Sequence, residues 1–254
     1  QTYDAIVIGA GVMGASLAFH FAERGLKVAI LERKVTASGA TGHSSGLVRM
    51  HYDLAAESHL TFASYNKYFN VWKDRVGGEC GFQQTGFLQI AKREHEDKLR
   101  GNVENQRKIG INTSVISVDE VRKLFPDLVT EYFDYAAYEP DSGYADATLT
   151  TNSFLDSAKR NGATLIQNCE VTAIHTSGGK VTGVSTTKGD FSSPIVVNAA
   201  GPWAKHVAAL AGIEVPLVTW THDVAFLHRP PTLGKIPAVI DDVINCYLIA
   251  IDDI

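Results

Sequence analysis

The feature that most constrains this chain is a glycine turn set between two apolar runs near its start. Tyr3 to Ile8 (YDAIVI) is a short β-branched run, followed at once by Gly9, Gly11 and Gly14 in GAGVMG. Gly14 to Glu23 (GASLAFHFAE) then has the composition of a helix, with Ala15, Leu17, Ala18, Phe21 and Ala22 at its apolar positions. Gly25 closes it, and Lys27 to Glu32 (KVAILE) reads as a second strand ending on an acid. Strand, glycine turn, helix, strand and acid in this order make a dinucleotide-binding unit, whereas the glycines alone are a weak signal.

Each residue type in the unit has a chemical reason. Gly9 permits the tight turn, Gly11 lets backbone approach a pyrophosphate, and Gly14 lets helix and strand pack closely. Val12 and Met13 sit at the helix N-terminus, whose free N–H groups face the phosphates. Glu32 suits the hydroxyls of an adenosine ribose and would repel a 2′-phosphate. These residues leave FAD and NAD both open.

The segment after the acid differs from a second strand-helix unit. Lys34 to Ser45 is a loop of small and hydroxylated residues, including Thr36, Ser38, Thr41, Ser44 and Ser45. Such residues bring hydroxyls and backbone N–H groups near a polar ligand without bulk. Asp53 to Trp72 reads as a helix. Gly86 to Ala91 reads as a strand, Arg93 to Ile109 as a helix, and Glu120 to Phe125 as a short helix stopped by Pro126. Farther on, Ala147 to Asn161 reads as a helix ending at Gly162. Thr164 to Gln167, Glu170 to His175, Val181 to Thr187 and Phe191 to Ala200 read as strands, the last emerging into Gly201. Residues from Leu217 onward, with the apolar run Val224 to Leu227, read as a return to the middle domain, and Trp220 as sheet packing.

Composition adds exclusions. The chain has 254 residues and a formal charge of −5, with no block of like charges of the kind that binds nucleic acid. Cys80, Cys169 and Cys246 are widely spaced, which fits a reducing compartment better than a disulfide framework. His175, His206, His222 and His228 show no metal-ligand spacing, so no metal is expected. No apolar run reaches the roughly eighteen residues of a membrane span, and the expected location is cytoplasmic.

Four stretches together carry a more specific resemblance. They are GAGVMGASLAFHFAERGLKVAILER (Gly9 to Arg33), the serine-rich loop ending in LVRMHY, EPDSGYAD (Glu139 to Asp146) and VVNAAGPWA (Val196 to Ala204). With these the chain resembles the FAD-dependent amine and amino-acid oxidoreductases related to sarcosine oxidase, glycine oxidase, dimethylglycine dehydrogenase and the β subunit of L-proline dehydrogenase.

That resemblance implies an α/β fold, α+β overall: a Rossmann-like FAD-binding domain with a discontinuous, inserted, sheet-containing substrate domain. The expected division is 1–83 and 144–216 for the FAD-binding domain, and 84–143 and 217–254 for the substrate domain. It implies that Gly9, Gly11 and Gly14 meet the pyrophosphate and that Glu32 and Arg33 meet the adenosine end. Thr41, Ser44, Ser45, Gly46 and Leu47 match the segment beside the pyrophosphate and isoalloxazine. Val171 matches the adenine contact, and Ala200, Gly201 and Trp203 match a second cofactor-contacting turn. His43 matches a histidine that carries FAD covalently in dimethylglycine dehydrogenase relatives; noncovalent FAD is the main expectation and a link through His43 the alternative.

The implied reaction is oxidation of the C–N bond of a small secondary or tertiary amino acid, with oxygen or another acceptor taking the electrons. Arg49 matches a position near the flavin and suits a substrate carboxylate, because its fork can bind one at two points. His51 and Tyr52 are the further candidates near the reacting centre. A dehydrogenase subunit passing electrons to a protein or quinone, and a noncatalytic FAD-binding module, stand as alternatives, and homo- and hetero-oligomers both remain open. Relatives continue beyond the second passage through the substrate domain, so a chain ending at Ile254 is expected to be a fragment.

Overall fold

In the computed structural model of the protein, residues 1–251 are described; residues 252–254, the end of the expected second substrate segment, lie outside them. Along the chain the elements run β1 (Ala5–Ile8), α1 (Val12–Glu23), β2 (Val28–Leu31), β3 (Leu47–Val48), α2 (Ala55–Lys67), α3 (Trp72–Arg75) and β4 (Phe87–Ile90). They continue through α4 (Glu96–Lys108), β5 (Ser114–Ser117), α5 (Val118–Leu124), β6 (Tyr135–Glu139), β7 (Gly143–Tyr144), α6 (Ala147–Arg160), β8 (Thr164–Ile166), β9 (Val171–Ser177) and β10 (Lys180–Thr186). The last are β11 (Gly189–Ser192), β12 (Val196–Asn198), α7 (Ala204–Ala209), β13 (Ala238–Asp241) and β14 (Cys246–Leu248). Contacts divide the chain into two compact units. The first is Gln1–Ser44, Val76–Cys80 and Asp146–Asp223; the second is Ser45–Arg75, Gly81–Ala145 and Val224–Ile254. Residues 45–75, assigned from sequence to the first domain, therefore group with the second unit.

The first unit is built on a parallel sheet in the order β12-β1-β2-β8. All four residues of β1 and of β2 are buried, as a parallel strand covered on both faces requires. Val7 faces α1, which packs on α6 with Phe19 and Phe154 rings 5.4 Å apart. Ile6, Ile8, Ala29 and Leu31 face the other way, into a core shared with Val184 and Phe191 of the three-stranded sheet β11-β10-β9. Because the chain leaves β1 toward β2 while β12 lies on its other flank, the sheet has a switch point at the carboxyl ends of β1 and β12. Ligands of open α/β sheets bind at such a point.

The second unit is built on a mixed sheet ordered β14-β13-β4-β6-β5, in which only β13 and β4 are parallel. Alternation in β4 divides its faces. Leu88 and Ile90 enter a core with Ile116, Val121, Phe125 and Val239, beneath α5. On the other face Ala91 and Ala137 pack with Leu99 and Val103 of α4. A two-stranded β3-β7 ladder completes the unit.

Several expected elements differ. The Asp53 to Trp72 helix stops at Lys67, because Tyr68 leaves helical geometry (φ −130°, ψ −73°), and a tight turn then carries Trp72 into a buried position. The helix expected from Glu120 starts at Val118, since Ser117 and Glu120 form a reciprocal capping box. Phe191 to Ala200 is two strands in two sheets, parted at Ser193 and Pro194, where proline has no N–H for a ladder. The run Val224 to Leu227, read as part of the return to the middle domain, groups with the second unit, where it is irregular and Phe226 and Leu227 are exposed. Trp220 packs into no sheet; it is 80% exposed.

Candidate functional site

Two cavities hold most of the candidate residues, one within each unit. The first, about 400 Å³, opens at the switch point of the parallel sheet and is lined by Gly9, Gly11, Val12, Met13, Glu32, Arg33, Thr41, Val171, Ala200, Gly201 and Trp203, among others. Its floor is backbone that tolerates no side chain. Gly9 has φ +105°, and a Cβ there would stand 2.6 Å from the Ala199 carbonyl oxygen. Gly14 lies beneath rather than in the cavity wall; a Cβ on it would meet the Gly9 carbonyl oxygen at 1.9 Å, so α1 seats directly on the turn. Gly11 caps α1 without a side-chain hydrogen bond, leaving the helix end directed at the cavity.

The polar groups here are already fixed. Thr41 Oγ1 accepts from the Val12 N–H at 3.1 Å, so one of the free donors of α1 is used by the serine-rich loop. Met13 and Gly14, next in the first turn, have no acceptor within the helix. Glu32 Oε2 accepts from the Ala10 N–H (2.9 Å) and Oε1 from the Lys34 N–H (2.8 Å), which pins the carboxylate at the end of β2 with lone pairs to spare. The Arg33 guanidinium lies 4.2 Å from the Trp203 ring centre, a cation–π pair on the cavity wall.

The rest of the expected cofactor belt is placed differently. His43 ends a tight turn, Ala40–His43, and is exposed; neither it nor Ser44 lines this cavity. Ser45, Gly46 and Leu47 belong to the second unit. Gly46 (φ +67°) packs there against Ala145, whose N–H donates to the Gly46 carbonyl at 2.8 Å, and Leu47 pairs with Tyr144 in the β3-β7 ladder.

The second cavity, about 260 Å³, brings together Arg49, His51 and Tyr52, with Asp53, Gln89, Lys98, Asn102 and Asp242 also in its wall. The Arg49 guanidinium stacks 4.2 Å from the Tyr52 ring centre and 5.6 Å from that of Phe87. It donates to Gln89 Oε1 at 3.4 Å, and among the described residues no carboxylate pairs with it. His51 is buried, and burial first, then the Arg49 charge, lowers its pKa to about 4 against the opposing effects of Asp53 and Gln106. It is therefore a neutral imidazole at physiological pH, with Nδ1 unpartnered. The Lys98 ammonium, 2.6 Å from Asp53, and then Asn102 hold the Asp53 carboxyl below its usual range.

Behind this wall Glu139 is completely buried, and its Oε2 accepts from the Met50 N–H (2.9 Å) and the Ser142 hydroxyl (2.8 Å). Burial raises its pKa against those bonds and the Arg49 charge. EPDSGYAD is thus in part a support for the segment carrying Arg49. The first cavity thus holds a helix end beside the fixed Glu32 carboxylate, and the second a guanidinium without a carboxylate partner beside a neutral imidazole.

Sequence reasoning missed Lys34, Glu170 and His206 in the first cavity, and Gln89, Lys98 and Asp242 in the second. Gln89 had a visible signal, being the polar residue of the otherwise apolar β4 segment FLQI. The others lie on surface helix, loop or strand-end positions where a polar residue is ordinary. Among the described residues no cluster suited to a metal ion occurs, and no helix is long and apolar enough to cross a membrane.

The chain is similar to several known proteins. The chain is 30% identical over 255 residues to the mitochondrial sarcosine dehydrogenase of Homo sapiens, covering 98% of this chain and 28% of that protein. It is 26% identical over 221 residues to the mitochondrial dimethylglycine dehydrogenase of Rattus norvegicus, covering 86% and 26%. The crystal structure of L-proline dehydrogenase from P. horikoshii superposes with a TM-score of 0.88 at 28% identity, over 98% of this chain and 67% of that one. The chain thus spans little more than a quarter of the length of these curated relatives. The profile of the FAD dependent oxidoreductase family matches residues 4–253, essentially the whole chain, and the protein belongs to that family.

Proposed function

We propose that this chain carries the FAD-binding unit and a substrate-facing unit of an enzyme that oxidises the C–N bond of a small amino acid, of the sarcosine, dimethylglycine, glycine or proline type. FAD, when bound, supplies the two-electron acceptor for a hydride from the carbon beside the amine. The residues of the first cavity fit its adenosine diphosphate end. Gly9 permits the tight turn, where a Cβ would collide with the Ala199 carbonyl, the first turn of α1 donates to a phosphate, and Glu32 accepts from ribose hydroxyls. Ala200, Gly201 and Val171 line the same cavity, and the Arg33–Trp203 pair offers a flat face for a purine.

Arg49 is the observation that carries the substrate side. An arginine without a carboxylate partner, stacked on Tyr52 and lining a cavity, is suited to a substrate carboxylate. Held there by two charge-assisted hydrogen bonds, the substrate is oriented before any bond breaks. His51, being neutral, adds no second positive charge, so an amine that must react unprotonated is not opposed by a neighbouring imidazolium. The resulting iminium is hydrolysed by water, which needs no nucleophile from the protein.

The dehydrogenase reading of electron transfer, to a protein or quinone rather than to oxygen, is favoured by the names of the curated relatives above. FAD is held noncovalently in this reading, with His43 as the site of a covalent bond in the alternative. Acid precipitation separates these two: colour in the supernatant supports the first, colour in the pellet the second. The function itself is tested by anaerobic addition of sarcosine, dimethylglycine, glycine or proline to the flavin-loaded protein. Bleaching of the flavin by at least one of them is expected; no bleaching by any of them contradicts the reading and favours a noncatalytic module.

A further inference from the structure

The central strand of the second unit carries one side chain out of pattern. β4 pairs on both sides, with β13 and with β6, and Gln89 stands opposite Ile240 on the first and Ala137 on the second. It is 6% exposed. A primary amide in such a place is costly unless both its ends are hydrogen-bonded. Both are: Oε1 accepts from Arg49 Nη1 at 3.4 Å, and Nε2 donates to Asp242 Oδ2 at 2.9 Å. A guanidinium only donates and an ionised carboxylate only accepts, so these partners allow the amide one orientation.

We propose that Gln89 is a positioning residue, a neutral spacer that keeps the Arg49 guanidinium from being neutralised by Asp242 and so leaves it available to a carboxylate ligand. The proposal rests on Arg49 being the carboxylate-binding cation. Direct pairing of Arg49 with Asp242 would be bidentate and would consume the edge of the fork that a ligand needs. The single long bond to a neutral carbonyl uses one N–H and leaves the charge unpaired. Asp242 is anchored beside β4, its N–H donating to the Ile90 carbonyl at 2.9 Å, and its charge also acts on Lys98. The carboxylate is thus a permanent competitor at the edge of the cavity, and Gln89 is the group that stands between it and Arg49.

The test is a mutant cycle read by binding of acetate to the full chain, followed by NMR line broadening, with flavin content and melting temperature measured on each variant. Acetate binding needs no turnover, so it remains readable even if no amine bleaches the flavin. Q89E puts a carboxylate of the same size against Arg49, and Q89L removes the spacer; each is expected to weaken acetate about tenfold or more. Q89L/D242N removes the competitor as well and is expected to recover most of that loss, which a merely structural role for Gln89 does not predict. If R49A weakens acetate while Q89E and Q89L bind it like the parent, the spacer is wrong and the Arg49 reading stands. Failure of D242N to rescue Q89L also overturns the spacer. Unchanged binding in R49A overturns both.

Discussion

The cavity around Gly9 and the cavity around Arg49 are built from different materials. The first is a backbone site, whose essential property is the absence of side chains at Gly9 and Gly14 and a helix end whose Met13 and Gly14 N–H groups have no acceptor within the helix. The second is a side-chain site, where a guanidinium is braced by an aromatic ring and an amide, with a buried imidazole in the same cavity wall. A backbone site fails when anything is added to it, because the neighbouring carbonyl oxygens cannot move aside. A side-chain site fails when something is removed, and it can fail in part. That contrast matches the proposed roles, since phosphate chemistry is shared by many ligands and substrate choice is particular to one.

Substitutions sharpen the contrast, beginning with the most severe. Gly14→Ala drives a methyl into the Gly9 carbonyl and is expected to cost about 3 kcal/mol or more. Thermal unfolding and the flavin-to-protein absorbance ratio should both fall, and a normal ratio would break the idea that this contact shapes the phosphate turn. His51 comes next, through pH. Its folded pKa of about 4 lies below the usual 6.5, so between those values the unfolded chain binds the proton that the folded one refuses. Stability therefore falls as pH drops from 6.5 to 4, by about 3 kcal/mol for this group, and is unaffected by it above 6.5. Urea titrations across that range should show a shallower slope for His51→Gln than for the parent. Thr41→Val is the smallest: the Val12 N–H loses its acceptor, which is worth about 1 kcal/mol, and the denaturation midpoint should drop slightly.

Legibility in the sequence followed the same division. The parallel sheet, α1 and the Gly9 cavity were readable because a local string, strand then glycines then helix then acid, determines them. Arg49, His51 and Tyr52 were readable as candidates, but their surroundings were not. Gln89 and Asp242 reach the Arg49 cavity only through the pairing of β4 with β13, which joins residues about 150 positions apart, as the Gln89–Asp242 hydrogen bond shows. No local pattern encodes such a register. EPDSGYAD was legible only as a stretch; the work of its Glu139, accepting from the Met50 N–H, is visible once the strands are folded. The break at Tyr68 and the exposure of Trp220 were missed because apolar residues alone do not say whether neighbouring elements will cover them.

In the proposed function, holding FAD and choosing the substrate are separate tasks of these two sites. Arg49→Ala tests it most directly, with flavin content and steady-state kinetics measured on the same preparation against whichever amine bleaches the parent. The flavin-to-protein ratio should match the parent while KM rises about ten- to a hundredfold, the loss of charge-assisted hydrogen bonds to a carboxylate. Loss of flavin with unchanged KM, or no change in either, would contradict the account.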